Sequence, residues 1–196
     1  MSLDAPWLVV GLGNPGARYA STRHNVGFMA AESFVETHDS YATWRERFDG
    51  LVSTCRVSAC RCVVLRPQTF MNVSGKSVMA AARFHKVPAS QIVVAHDELD
   101  FDFGRVAVKT GGGHGGHNGL RDIIGRLGTP DFLRIRLGIG RPKHGRDDVS
   151  NWVLSEFDDS DAAELPDMIR LACQAVTTVV TDGPAQAMNL FNTTAT

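Results

Sequence analysis

Strand-like runs alternating with amphipathic helices predict an α/β domain, a layered sandwich with a twisted mixed β-sheet flanked by helices. Three observations carry that reading. Trp7–Val10 and Ile92–Ala95 are short, wholly apolar runs of the kind that form buried central strands. Val26, Met29, Ala30 and Phe34 recur at helical spacing, as does the pattern over residues 160–189. Leu51–Val57 and Cys60–Leu65 are separated only by Ser58-Ala59, which makes them a hairpin and adds an antiparallel part to the sheet. With 196 residues and no internal repeat or linker, residues 1–196 read as a single domain.

The first strand runs into Gly11-Leu-Gly13-Asn14-Pro15-Gly16, whose spacing matches the dinucleotide fingerprint G-x-G-x-x-G. That fingerprint needs a helix starting at the glycines, so that free N–H groups meet the pyrophosphate. Pro15 removes a donor, and the next helical pattern starts about ten residues later at Val26. Glu32 and Glu36 lie inside that helix instead of ending a second strand, so the nucleotide reading loses its support. After the hairpin, Pro67 ends the second strand, and Gln68–Val73 leads to a helix for which Ser74 is the expected N-cap. Gly75-Lys76-Ser77 resembles the end of a P-loop, but Phe70 stands where that motif needs its first glycine.

Ile92–Ala95 ends in His96-Asp97-Glu98, placing carboxylates at the C-terminal edge of a central strand, where open α/β sheets hold their sites. Gly104–Lys109 is a further strand, and a helix is expected from Asn118 to Leu127. Phe132–Ile139 alternates: Leu133, Ile135, Leu137 and Ile139 share one face, Phe132, Arg134 and Arg136 the other. Gly140–Arg146 reads as a basic loop, Trp152–Leu154 as a short apolar run, and residues 160–189 as an acidic helix interrupted near Asp182-Gly-Pro184.

Composition narrows the function. Hydrophobic residues make up 43% and charged residues 21%, which excludes a disordered or fibrous chain. No apolar run approaches the roughly 18 residues of a membrane span, and Met1–Trp7 lacks the features of a signal peptide. Cys55, Cys60, Cys62 and Cys173 show neither redox nor zinc spacing and read as reduced thiols of a cytoplasmic protein. The net charge of −1 is uninformative, but its distribution is not. Residues 105–146 carry nine basic side chains against Asp122 and Asp131, a net of +7, whereas residues 147–196 carry a net of −8. Such asymmetry suits one face that meets a polyanion, or else a set of solvated arginines.

The chain is organised around Gly111-Gly-Gly-His114-Gly-Gly-His117-Asn118-Gly119, a loop freed from the usual φ restriction and able to wrap a ligand. A flexible surface turn is the alternative. There is no G-x-S-x-G, H-E-x-x-H or CxxC. A metal site from His114 and His117 with His96 or Asp97 lacks further ligands at a recognised spacing. The candidates are His24, His114, His117, Asn14, Asn72, Asn118 and Asp97. A histidine flanked by asparagines better suits acyl transfer to water, with imidazole as base, an aspartate orienting it, and carboxamides fixing the substrate and stabilising the oxyanion. Taken singly, His24 could equally be a surface histidine, and Tyr19 and Phe70 core aromatics.

These residues also carry a resemblance. Gly11–Gly16, Tyr19, Thr22-Arg-His-Asn-Val-Gly-Phe28, Thr69-Phe-Met-Asn-Val-Ser-Gly75, His96-Asp-Glu-Leu-Asp100, the glycine loop and Arg136-Leu-Gly-Ile-Gly-Arg-Pro142 resemble, in order, bacterial-type peptidyl-tRNA hydrolase. Phe101-Asp102 departs from the Leu-Pro usual there, and is expected to touch no chemical position. The resemblance implies metal-free, cofactor-free hydrolysis of the ester between a peptide and the 3′ ribose of tRNA, recycling tRNA from abandoned translation. His24 would activate water, Asp97 would hold the imidazole, and Asn14 would recognise the peptide backbone. Asn72 and Asn118 would position substrate and water, with Tyr19 and Phe70 lining the site. Lys109 and Arg136 would grip the terminal phosphate, with Arg134, Arg141 and Lys143 as weaker backbone contacts. His117 would support Asn118 or merely pack, and His114 belongs to the loop. A monomer is expected. The rivals are an RNA-binding relative without catalysis and a nucleotide-dependent oxidoreductase.

Overall fold

Side chains alternate along the central strands, and this alternation sorts the core into two layers. The computed structural model describes residues 5–142 and 149–193. Among them, β1 (Trp7–Gly11), β2 (Arg45–Arg47), β3 (Gly50–Val57), β4 (Cys60–Pro67), β5 (Ile92–Glu98), β6 (Val106–Thr110) and β7 (Leu133–Gly138) form one sheet in the order β2-β3-β4-β1-β5-β7-β6. β4, β1, β5 and β7 run parallel, while β2, β3 and β6 pair antiparallel with their neighbours. The hairpin register Val57↔Cys60 leaves Ser58-Ala59 as its two-residue turn. The four cysteines are free thiols, with Cys55 and Cys62 opposite each other on this hairpin.

Val9, Val64, Val93 and Ile135 face α1 (Val26–His38), α5 (Asp159–Asp182) and α6 (Pro184–Phe191). Leu8, Val10, Val63, Leu65 and Val94 face α2 (Ser74–His85) and α3 (Asn118–Leu127). Each such side chain contributes about 1.5–3 kcal/mol by leaving water. The coverage is uneven. No residue of β6 or β7 joins the second cluster. On that face, Arg134 stands opposite Lys109, and Arg136 lies between His96 and Ala107 in register. A basic row therefore flanks α3 where the sheet has no helical cover. The expected alternation of Phe132–Ile139 holds, with the aliphatic side chains in one layer and Phe132 in the other.

One local expectation differs, and two short elements were not assigned from the sequence. β2 was not legible, because Arg45-Glu46-Arg47 is exposed and charged throughout. Ser74 is not an N-cap: a 3-10 turn over Met71–Val73 precedes α2, and the Ser74 hydroxyl donates back to the Met71 carbonyl at 2.8 Å. Trp152 and Val153 belong to a short helix, α4 (Val149–Val153). Lys143, Arg146 and most of the basic loop lie outside the described residues. No described helix is long and apolar enough to cross a membrane.

Gly11 and Gly27 fix the point from which the site is built. A Cβ on Gly27 would lie 2.4 Å from the Ala95 carbonyl oxygen and 2.6 Å from the Leu12 nitrogen. The first turn of α1 thus rests directly on the ends of β1 and β5, and residues 22–25 are carried over the C-terminal edge of the sheet. The fingerprint-like turn opens no α-helix at its glycines, only a single 3-10 turn over Ala17–Tyr19. Gly27→Ala is expected to destabilise the protein by about 1–3 kcal/mol through overpacking, read as a lower urea midpoint at unchanged m-value.

Candidate active site

β5 ends by pushing a carboxylate into the interior. Asp97 is buried and accepts two imidazole hydrogen bonds on one oxygen, Oδ1: from His24 Nδ1 at 2.8 Å and from His117 Nε2 at 3.0 Å. The tautomers follow from the remaining bonds. His117 caps α3, its Nδ1 accepting from the Gly119 and Leu120 N–H groups at 3.1 and 3.3 Å, so its proton sits on Nε2. His24 donates from Nδ1, which leaves the Nε2 lone pair for the cavity its ring lines.

Electrostatics sharpen this division. Burial opposes ionisation of Asp97, but the two imidazoles and their hydrogen bonds outweigh it and hold the carboxyl well below its usual range. Burial opposes protonation of His24, yet the Asp97 charge and hydrogen bond lift its pKa above 6.5. Neighbouring His96 is pushed down to about 3 by burial and by His117, and donates its Nδ1–H to the Asp97 backbone carbonyl at 2.7 Å. His24, Asp97 and His117 are also the described group whose donor atoms lie close enough for a metal, within 4.8 Å. Here those donors are spent on one another, an acid with two orienting partners, and the pairing of His114 with His117 weighed from sequence is not formed.

Asn14 is locked by its neighbours. Its Oδ1 accepts from the Met71 N–H at 2.9 Å, and its backbone N–H and C=O pair with the Asn25 carboxamide, both at 2.9 Å. The Asn14 amide nitrogen, with no partner among the described residues, is left to donate into the cavity. That cavity, about 690 Å³, also gathers Phe70, Asn72, Asn118, Lys109 and Arg136. Phe70 is 56% exposed, so it is a rim aromatic and not a core one. Asn118 opens α3, where its Oδ1 accepts from Arg121.

Two placements correct the sequence reading. Tyr19 does not line the cavity; it sits on a 3-10 turn at Ala17–Tyr19 with the Arg18 guanidinium 4.6 Å from its ring centroid. Arg134 is not a free backbone contact. It is buried and donates to the Gly112 and Gly113 carbonyls, fixing a loop in which Gly111, Gly112, Gly115 and Gly116 all have positive φ. The glycine loop is therefore pinned, not a free surface turn. Arg136 is paired with Glu98 at 2.9 Å and Arg141 with Asp100.

Residues 8–196 match the family model described as Peptidyl-tRNA hydrolase. The peptidyl-tRNA hydrolase of Sorangium cellulosum (strain So ce56) is 49% identical over 187 residues, spanning 95% of this chain and 83% of the relative. That of Frankia casuarinae is 47% identical over 190 residues, 96% of this chain and 95% of the relative. The crystal structure of peptidyl-tRNA hydrolase from Acinetobacter baumannii aligns with a TM-score of 0.90 at 38% identity, covering 98% of this chain and 97% of that one. The chain belongs to the peptidyl-tRNA hydrolase family.

Its activity is accordingly that of a peptidyl-tRNA hydrolase. Within this hydrolase, sequence reasoning missed three supports. Asn25 holds Asn14 from the position next to His24, an adjacency that was visible. Arg23 is buried, bonds Ser155 and Glu156 and stacks on Trp152 at 3.8 Å, tying the α4–α5 turn to the His24 segment. No local pattern marks it. Phe101 lies with its ring 4.2 Å from the Arg136 guanidinium, so the Phe101-Asp102 departure does reach a site residue.

Because the Asp97 charge is what lifts His24, Asp97→Asn is expected to bring the imidazole pKa from above 6.5 to below it, as burial alone dictates. Titration of the ring protons by NMR checks this; a value still above 6.5 in the variant contradicts it.

Proposed function

We propose that the hydrolase cleaves the ester between a peptide, or an N-blocked amino acid, and the 3′ ribose of tRNA, with water activated by His24. The observation that carries this reading is the His24–Asp97 bond, which orients the ring and leaves Nε2 to the cavity. Water loses a proton to Nε2 as its oxygen bonds to the ester carbonyl carbon, and the new imidazolium is stabilised by Asp97. The carbon–oxygen bond to the ribose then breaks, and the proton passes from Nε2 to the departing 3′ oxygen. The peptide acid, which gives up its remaining proton to solvent as the carboxylate forms, and tRNA with a free 3′ hydroxyl result. His117 holds the second bond to Oδ1 and keeps the carboxylate from turning.

Asn14, its oxygen already engaged, presents N–H groups to a peptide carbonyl, which an N-blocked substrate has and a free aminoacyl ester lacks. Asn72 and Asn118 position substrate and water, and Phe70 offers a face for a terminal base. Lys109 and Arg136 take the terminal phosphate. No step needs a metal, since base, orienter and donors are all side chains. The setting proposed is the cytoplasm, where the four thiols stay reduced and tRNA from abandoned translation is released for reuse, by a monomer.

The test is release of N-acetyl amino acid from acetyl-aminoacyl-tRNA. His24→Ala is expected to lower the rate by ~10²–10⁴ with tRNA binding retained, and the wild-type rate is expected to survive chelator while the unblocked aminoacyl-tRNA is spared. Binding without cleavage in the wild type would instead favour the RNA-binding relative. Above pH 6.5 the kcat/KM profile should still be rising, because a base with a raised pKa must lose its proton before it can act. Lys109→Gln is expected to reduce the salt slope of tRNA binding by about 0.7–0.9, the share of one phosphate; an unchanged slope removes Lys109 from the interface.

A further inference from the structure

A second cavity, about 560 Å³, opens along β6 and shares Lys109 and Arg136 with the first. Phe101 and Arg105 also line it. The guanidiniums of Arg105 and Arg136 each lie 4.2 Å from the centroid of the Phe101 ring. The two cations are thus no farther apart than twice that distance. The ring's electron-rich face offsets part of their repulsion, as does Glu98 beside Arg136. Arg105 and Lys109 have no ion-pair partner among the described residues, and no carboxylate lines this cavity.

The ring is held in place. The Phe101–Asp102 turn packs on Gly138, where a Cβ would lie 2.1 Å from the Asp102 carbonyl oxygen, and the Phe101 carbonyl accepts from the Gly140 N–H at 2.9 Å. The outer edge of β6 is not available for strand addition at this point. The Asn192 carboxamide covers both the N–H and the C=O of Val108, each at 2.8 Å. A ligand here meets cationic side chains instead of open backbone, which favours a chain of phosphates over an extended peptide.

We propose that Arg105, sharing the Phe101 ring with Arg136, forms a second phosphate subsite that takes an internal phosphate of the tRNA acceptor stem. It rests on the reading of Lys109 and Arg136 as the terminal-phosphate grip. The cavity's continuity with that pair sets its place: next to the terminal phosphate, along β6. Such a contact adds affinity and register without reading sequence.

The experiment compares wild type, Arg105→Gln, Phe101→Leu and Lys109→Gln on acetyl-aminoacyl-tRNA, on the same tRNA lacking its 5′ phosphate, and on a 3′-terminal CCA fragment bearing the same ester. Arg105→Gln is expected to weaken binding of the full tRNA by roughly three- to tenfold, one exposed charge-assisted contact. It should also lower the salt slope by about 0.7–0.9. Both losses should persist on the dephosphorylated tRNA and vanish on the fragment, whereas the Lys109→Gln loss should vanish on the dephosphorylated tRNA. Phe101→Leu should show the Arg105→Gln pattern more weakly, with an unchanged circular dichroism spectrum. An unchanged salt slope in Arg105→Gln, an equal loss on the fragment, or a loss confined to the 5′-phosphorylated tRNA would each overturn the proposal. Failure of the wild type to act on any of these esters would strike the parent reading instead.

Discussion

One buried carboxylate organises the cavity end of this protein. Asp97 cannot be left alone in the interior, because an unpaired charge there is far too costly, and it is satisfied by two imidazoles from opposite sides of the sheet. His24 reaches it from the segment before α1, and His117 from the start of α3. Each helix belongs to a different core layer, so the ion-pair geometry depends on both layers packing correctly on β5. Gly27 against Ala95 sets the height of one, and the His117 cap sets the start of the other.

The same asymmetry that closes the sheet around Asp97 leaves a basic side uncovered. α2 and α3 cover the sheet over β4, β1 and β5, leaving β7 and β6 with side chains that need no hydrocarbon partner. The positions there are Arg134, Arg136 and Lys109, and they divide the work. All three line the cavity, but Arg134 is spent on the glycine-loop carbonyls. A loop rich in glycine is expensive to order, and a buried guanidinium on two of its carbonyls offsets part of that cost.

Much of the frame was legible. Apolar runs and helical periods marked the strands and helices of the core, because burial demands hydrocarbon at fixed spacings. The edge strand β2 was not, since an exposed edge makes no such demand. Ser74 carried the right chemistry for a cap but sits one residue inside a helix entered through a 3-10 turn. Of the residues singled out for the site, His24, Asp97, Asn14, Asn72, Asn118, Phe70, Lys109 and Arg136 meet at one cavity, and Tyr19 does not. Arg134 and Arg136 share a strand face, as alternation requires, and both border the cavity, but Arg134 is bound to the glycine-loop carbonyls.

By itself the sequence determined the fold class, the family resemblance and the types of groups available for chemistry, because these follow from patterns along the chain. Only the tertiary structure decided which groups act on one another. That His24 holds Asp97 through Nδ1 and turns Nε2 to the cavity, that His117 shares the same carboxylate oxygen, and that Asn25 holds Asn14 are facts about distances between residues well separated in the chain. Arg23 and Phe101 make the point most plainly. Arg23 does not stand out in the sequence and Phe101 does so only as a departure from the family pattern, and each acquires its contacts from what the fold places beside it. Hydrogen bonds and ion pairs act over a few ångströms of space, and chain order alone does not supply that proximity.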